Sequence, residues 1–114
     1  MALPQTRIVA LGDELFAALR ARRTLAPLTE RVEGIDIDDA YNISLHFLHC
    51  RLADGEALIG KKIGVTSKPV QDMLGVHQPD FGFLTDRMQV KNRDVISIKG
   101  SGLIQPRAEG EIAF

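Results

Sequence analysis

The chain has 114 residues, a formal net charge of −1 and a sequence pI near 6.3, which suits one small domain. This balance provides no long-range field for nucleic acid or an anionic membrane, so we expect neither partner. The single cysteine, Cys50, excludes an intrachain disulfide framework, and no segment approaches the roughly 18–20 apolar residues that cross a bilayer. A cytoplasmic protein is therefore expected.

The first half of the chain predicts two amphipathic helices. Apolar residues recur at three- and four-residue steps between Thr6 and Arg23, which is the spacing of one helix face. A second helix is predicted to begin at a cap supplied by Asp36 or Asp38 and to end at Asp54. Its apolar surface is broad, which indicates a helix packed on more than one side.

The pattern changes in the second half. Alternation over Leu58–Thr66 predicts a strand, and Ser67 is placed to cap a short helix after it. Turn-forming residues predict a loop over Gly75–Leu84. Val95–Ile98 and Arg107–Phe114 are predicted to be strands, separated by a turn at residues 100–102.

These elements predict an α+β fold with a helical region over residues 1–57 and the start of a β-rich catalytic domain over 58–114. The predicted final strand has no later segment to pair with, and an unpaired edge favours aggregation. We therefore expect the sequence to be a truncated part of a longer protein.

Glu109 and Glu111 are the candidate metal ligands. Residues two apart on a strand share one face, so both carboxylates would project together. In a cleft, a hard cation such as Mg²⁺ or Mn²⁺ is the natural counter-charge. The ordinary alternative is a solvated strand face, and two carboxylates fill only part of the roughly six positions that such an ion requires.

Lys61 and Lys62 are adjacent on the predicted strand, so they point to opposite faces and cannot share a role. Lys62 shares its face with Gly60 and Gly64, and glycine inside a strand often marks close approach of a ligand or another backbone. That small, open face favours Lys62 as the catalytic candidate. Two exposed surface lysines are the alternative.

Asp80 is the second catalytic candidate. It lies in the predicted loop between Pro79 and Phe81-Gly82, where its backbone is constrained, and ordered loops carry a large share of functional residues. A turn-forming role for Asp80 and a surface or helix-end role for the nearby His77 are the alternatives.

Three segments of the chain carry recognisable motifs. They are Gly60–Ser67 (GKKIGVTS), Leu74–Gly82 (LGVHQPDFG) and Gln105–Ala113 (QPRAEGEIA). Their order and spacing resemble those of the 2-keto-4-pentenoate (2-hydroxypenta-2,4-dienoate) hydratases, in the fumarylacetoacetate hydrolase superfamily. The resemblance extends over essentially the whole chain, and the segment Gln78-Pro79-Asp80-Phe81-Gly82 favours the hydratases over the sister 4-oxalocrotonate decarboxylases.

The resemblance implies roles for four residues and a fold. Glu109 and Glu111 match the family's metal-binding glutamates, Lys62 its active-site lysine and Asp80 its loop aspartate. The cofactor implied is Mg²⁺ or Mn²⁺, with a third carboxylate ligand that lies outside this sequence. A β-rich fumarylacetoacetate-hydrolase-like fold is implied, of which this chain would be the N-terminal portion, inactive alone.

The implied reaction is addition of water to 2-hydroxypenta-2,4-dienoate, giving 4-hydroxy-2-oxopentanoate in the meta-cleavage degradation of aromatic compounds. The implied partners are that small-molecule substrate, further copies of the chain in a homo-oligomer, and the decarboxylase of the pathway. The alternatives are a 2-oxo-enedioate decarboxylase or an acylpyruvate hydrolase of the same superfamily, and a non-catalytic assembly subunit.

Overall fold

The computed structural model describes residues 2–114 and has the α+β composition predicted from the sequence. A short 3₁₀ turn follows the last strand. None of the helices in the described part combines the length and the apolar character needed to cross a bilayer. The elements are α1 (Gln5–Arg20), α2 (Leu28–Arg31), α3 (Ile37–Ala53), β1 (Leu58–Gly64), α4 (Lys68–Leu74) and β2 (Asp80–Thr85).

The core lies where α1 packs against α3. Ile8 and Leu11 of α1 are each 2% exposed, and they cluster with Ile43 of α3 and with Val32, which follows α2. Burying each large aliphatic side chain contributes about 1.5–3 kcal/mol. The two helices predicted from apolar periodicity are therefore confirmed, and the short α2, which begins after Pro27, was not predicted.

A capping box fixes the start of α3. The Asp36 carboxylate accepts a hydrogen bond from the Asp39 amide at 2.9 Å, and the Asp39 carboxylate accepts one from the Asp36 amide. Asp36, rather than Asp38, is therefore the N-cap. Asp39 is 1% exposed and also accepts a bond from the Leu3 amide at 2.9 Å, which fastens the segment before α1 to α3.

The two strands pair as an antiparallel hairpin, and α4 lies in the segment that connects them. The predicted loop over Gly75–Leu84 is wrong for its second half, because Asp80–Thr85 is strand β2. This segment supplies the backbone partners that β1 requires. β1 stops at Gly64, short of the predicted Thr66, since Val65 leaves the extended conformation with φ +54°. Helix α4 begins after Ser67 as predicted, although the Ser67 side chain makes no capping hydrogen bond, and it ends at Gly75 with φ +69°.

The two strands predicted after β2 are wrong. Neither Val95–Ile98 nor Arg107–Phe114 is a strand, and the sheet in residues 2–114 consists of β1 and β2. An alternating pattern gives a strand only where a neighbour completes the backbone hydrogen bonds, and no such neighbour is present in the described part of the chain. A turn that overlaps the predicted one lies slightly earlier, over residues 97–101, where the Ser101 amide donates to the Ser97 carbonyl at 2.9 Å.

Candidate functional site

One face of the hairpin packs toward the helices. Phe81 of β2 stacks on Tyr41 of α3, with ring centroids 4.6 Å apart and planes 12° from parallel. Phe81 also packs edge to face against Phe83, with ring centroids 5.9 Å apart. Lys61 lies opposite Phe83 in the register, and Ile63 lies opposite Phe81, so both belong to this face. Lys61 is therefore on the helix side of the sheet.

The opposite face carries the two catalytic candidates. Lys62 is paired with Gly82, and Gly64 is paired with Asp80, so Lys62 and Asp80 share this face. Three glycines on it, at positions 60, 64 and 82, contribute no side chains. The alternation predicted from the sequence thus separates the two lysines as the structure does. Both candidates are exposed on an open, polar surface.

The head groups of Lys62 and Asp80 converge beside Gly64. A Cβ atom added at Gly64 would lie 2.5 Å from Asp80 Oδ1 and 3.8 Å from Lys62 Nζ. The stem of Lys62 crosses Gly82, where an added Cβ would be 3.3 Å from Lys62 Cγ. Any side chain at position 64 would displace the carboxylate. The glycines that mark a small, open strand face in the sequence therefore allow this approach.

A backbone irregularity borders this face. Val65 adopts φ +54°, which is unusual for a β-branched residue, and its carbonyl accepts a hydrogen bond from Gln71 Nε2 of α4 at 3.0 Å. Such conformations cost roughly 1–3 kcal/mol and occur disproportionately at functional sites. Nothing in the sequence indicates this feature, because valine is a common strand residue.

A buried carboxylate fastens the hairpin to the helices. The Glu56 side chain is 0% exposed and accepts hydrogen bonds from Arg51 Nε at 2.9 Å, from the Thr85 hydroxyl and from Arg20. Burial alone would raise the pKa of Glu56, but these three donors together lower it from 4.5 to about 2. Glu56 is therefore an ionised link between α1, α3 and β2. Sequence reasoning missed it.

The base of the hairpin has a second fastening. The Asp86 amide donates to the Ala57 carbonyl at 2.9 Å, and the Ala57 amide donates to Asp86 Oδ1 at 2.9 Å. Arg87 pairs with Asp54, at the end of α3, at 3.2 Å. These contacts hold the strands that carry Lys62 and Asp80 in a fixed position on the helices.

Glu109 and Glu111 lie apart from any helix or strand, and both are exposed. The common strand face that the sequence predicted for them is therefore not formed. Within residues 2–114, neither joins a group of three potential ligands whose donor atoms lie within 4.8 Å of one another. Their oxygen donors suit a hard divalent cation, but two carboxylates alone fill only part of its coordination shell.

Comparison with known proteins identifies the relatives of this chain. No protein-family model matches it. It is 65% identical over 103 residues to a 2-hydroxyhexa-2,4-dienoate hydratase of Comamonas testosteroni, covering 90% of this chain and 39% of the relative. It is 59% identical over 112 residues to a 2-hydroxypent-2,4-dienoate hydratase of Pseudomonas putida, covering 98% of this chain and 50% of the relative. The chain therefore spans half or less of the length of these relatives.

The fold has a solved counterpart. The 4-oxalocrotonate decarboxylase from Pseudomonas putida G7, in a complex with magnesium and adipate, matches with a TM-score of 0.71 and 26% identity. The match covers 75% of this chain and 32% of the decarboxylase. Fold and sequence together place the chain in the fumarylacetoacetate hydrolase superfamily. Over most of its own length, the chain is similar in sequence to 2-hydroxy-2,4-dienoate (2-keto-4-pentenoate) hydratases.

Proposed function

We propose that this chain supplies the lysine and the aspartate of a hydratase site that acts on 2-hydroxypenta-2,4-dienoate or a close homologue. The observation that carries the proposal is the convergence of Lys62 and Asp80 beside Gly64, on the glycine-rich face of the hairpin. The relatives named as hydratases of five- and six-carbon dienoates support this substrate class.

The chemistry needs a proton donor and a proton acceptor close together. An isolated alkene is a poor acceptor for water, so the dienol must first gain a proton at C5 and lose its hydroxyl proton, giving an α,β-unsaturated ketone. Water then adds at C4 while C3 gains a proton. An ammonium can only donate and a carboxylate can only accept. We assign C5 protonation to Lys62, which the proton released by the dienol hydroxyl recharges through solvent. We assign positioning of the attacking water to Asp80, which accepts a proton from that water and delivers it to C3.

Glu109 and Glu111 are proposed to hold Mg²⁺ or Mn²⁺, together with a further carboxylate. The oxygen donors support a hard cation, and the solved decarboxylase complexes contain magnesium or calcium. When bound, the ion would supply Lewis-acid stabilisation of negative charge on the substrate oxygens. Since residues 2–114 bring no third ligand to these glutamates, we expect the isolated chain to show no hydratase turnover.

Decarboxylation of a 2-oxo-enedioate is the second candidate, favoured by the solved decarboxylase of similar fold. The 65% and 59% identities to hydratases outweigh a 26% identity to the decarboxylase. Release of CO₂ from a 2-oxo-enedioate, with no consumption of the dienoate, would favour the decarboxylase over the hydratase.

The proposal extends to setting and assembly. We place the protein in the cytoplasm, in the catabolism of aromatic compounds, as a homo-oligomer that can associate with the pathway decarboxylase. The single cysteine suits a reducing compartment. Exposed apolar side chains on the hairpin, including Ile59 at 50% and Ile63 at 62%, support self-association. Light scattering of the purified chain tests this, and a strictly monomeric chain at micromolar concentration would contradict it.

The catalytic assignment is tested with a matched pair of lysine variants. The chain replaces the matching segment of the P. putida hydratase, and turnover is followed as loss of dienol absorbance with added Mg²⁺ or Mn²⁺. Lys62→Ala should reduce turnover by roughly 100-fold or more, the usual scale for general acid–base groups, while Lys61→Ala should have little effect. Equal losses in the two variants, or a folded chimera without activity, would overturn the assignment.

A further inference from the structure

A cluster of three different metal-ligating side chains lies between helices α1 and α3. His46 and Cys50 are four residues apart in α3, so they lie one turn apart on the same helix face. Asp13 projects from α1 toward them. Its Oδ1 atom lies 2.8 Å from His46 Nε2 and accepts a hydrogen bond from Cys50 Sγ at 3.4 Å.

We propose that Asp13, His46 and Cys50 form a binding site for Zn²⁺ or a similar borderline divalent metal, with a fourth position open to water. One donor atom from each residue lies within 4.8 Å of the other two. Zinc bonds to oxygen and nitrogen at about 2.0–2.2 Å and to sulfur at about 2.3 Å, so tetrahedral ligands stand roughly 3.2–3.8 Å apart. The Asp13–Cys50 distance of 3.4 Å falls in this range.

The adjustment needed between Asp13 and His46 is small. Their donor atoms must separate by a few tenths of an ångström from 2.8 Å, and the Asp13 side chain is 60% exposed, which leaves room for it to shift. His46 is held more firmly, with its side chain 23% exposed. A Cβ atom at Gly12 would lie 2.6 Å from His46 Cδ2, so the glycine lets the imidazole lie directly against α1.

A nucleophilic role for the same residues fits less well. A cysteine activated for attack donates its proton to a histidine, whereas the Cys50 thiol donates to Asp13. Burial and the Asp13 carboxylate both raise the pKa of Cys50, which keeps the thiol protonated. A divalent metal replaces that proton and satisfies all three side chains at once.

The donor set also separates this site from the one proposed for the hydratase reaction. Glu109 and Glu111 offer only oxygen, which suits Mg²⁺ or Mn²⁺, whereas a thiolate and an imidazole select zinc-like ions. Because Asp13 belongs to α1 and the other two ligands to α3, bound metal would join the two helices that form the core. Its expected role is therefore structural.

Cobalt is the probe, since a thiolate bound to Co²⁺ gives a near-ultraviolet charge-transfer band, and Cys50 is the only cysteine in the sequence. We expect the band when Co²⁺ is titrated into the purified chain, and Zn²⁺ should displace it. Cys50→Ser should abolish the band. Asp13→Asn and His46→Gln should each weaken binding by at least about 10-fold, because even residues behind the ligands commonly contribute that much.

His49→Gln is the matched control, since this exposed histidine neighbours Cys50 but lies outside the cluster. It should bind cobalt like the unchanged chain. As a second readout, Zn²⁺ should protect Cys50 from alkylation by iodoacetamide and raise the thermal midpoint. The absence of a thiolate band, or unchanged affinity in both Asp13→Asn and His46→Gln with native circular dichroism, would overturn the site. Neither result depends on hydratase activity.

Discussion

Replacing Glu56 with glutamine tests how the hairpin is held on the helices. The substitution keeps the shape of a side chain that is 0% exposed and removes its charge. Arg20 and Arg51 both form ion pairs with this carboxylate. The pKa of Glu56 falls from 4.5 to about 2 on folding, which corresponds to about 3 kcal/mol of stabilisation of the ionised form. We expect Glu56→Gln to lower the free energy of unfolding by about 2–4 kcal/mol at pH 7.

The pH dependence follows from the direction of this shift. Because the folded-state pKa is depressed, the stabilisation is complete above the unfolded value of 4.5 and is lost as the pH falls toward about 2. The difference between the unchanged chain and Glu56→Gln should therefore shrink by roughly half or more between pH 6 and pH 3. Urea denaturation followed by circular dichroism measures both quantities.

Glu33→Gln provides the control, because this glutamate is exposed. Its substitution should change the free energy of unfolding by less than about 0.5 kcal/mol. Two results would refute the reasoning. One is a Glu56→Gln variant as stable as the unchanged chain at pH 7. The other is a stability difference that stays constant from pH 6 to pH 3, which would mean that the ionised carboxylate is not the cause.

Three further predictions concern the other named features. Gly64→Ala should displace the Asp80 carboxylate and reduce turnover of the chimera, with little change in helix content by circular dichroism. Full activity of this variant would be inconsistent with a catalytic site at Lys62 and Asp80. Glu109→Gln or Glu111→Gln should weaken activation by Mn²⁺, with partial rescue by excess metal, and unchanged activity at limiting metal would remove them as ligands. Asp36→Ala should lower the thermal midpoint through loss of about 1 kcal/mol of capping, whereas an unchanged midpoint would show that the box adds nothing.

The helices could be predicted because their signals are local. The apolar spacing of α1 and the cap at Asp36 each lie within a few residues of the structure that they produce. The sequence predicts a loop where strand β2 forms, because the stability of β2 comes from pairing with β1, for example between Asp80 and Gly64, and not from its own composition. The same dependence on a partner explains why the alternating segment Arg107–Phe114 is not a strand in the described chain.

For the candidate site, too, the features that depend on local sequence could be predicted and those that depend on the folded chain could not. Alternation along one strand was enough to separate Lys62 from Lys61, and glycine spacing indicated the open face. The ionised Glu56 was not predictable, since its donors come from α1, α3 and the end of β2, which meet only in the folded chain. The placement of Asp80 beside Gly64 likewise required the register of the hairpin.

The most direct test of the central claim is product analysis in D₂O with the chimera that carries this chain. Protonation at C5 followed by addition of water at C4 predicts 4-hydroxy-2-oxopentanoate with a deuterium in its methyl group, detected by NMR, at a rate that Lys62→Ala sharply reduces. A dienoate recovered unchanged from a folded, metal-loaded chimera would contradict the account. So would formation of the deuterated product at an undiminished rate in the Lys62→Ala chimera.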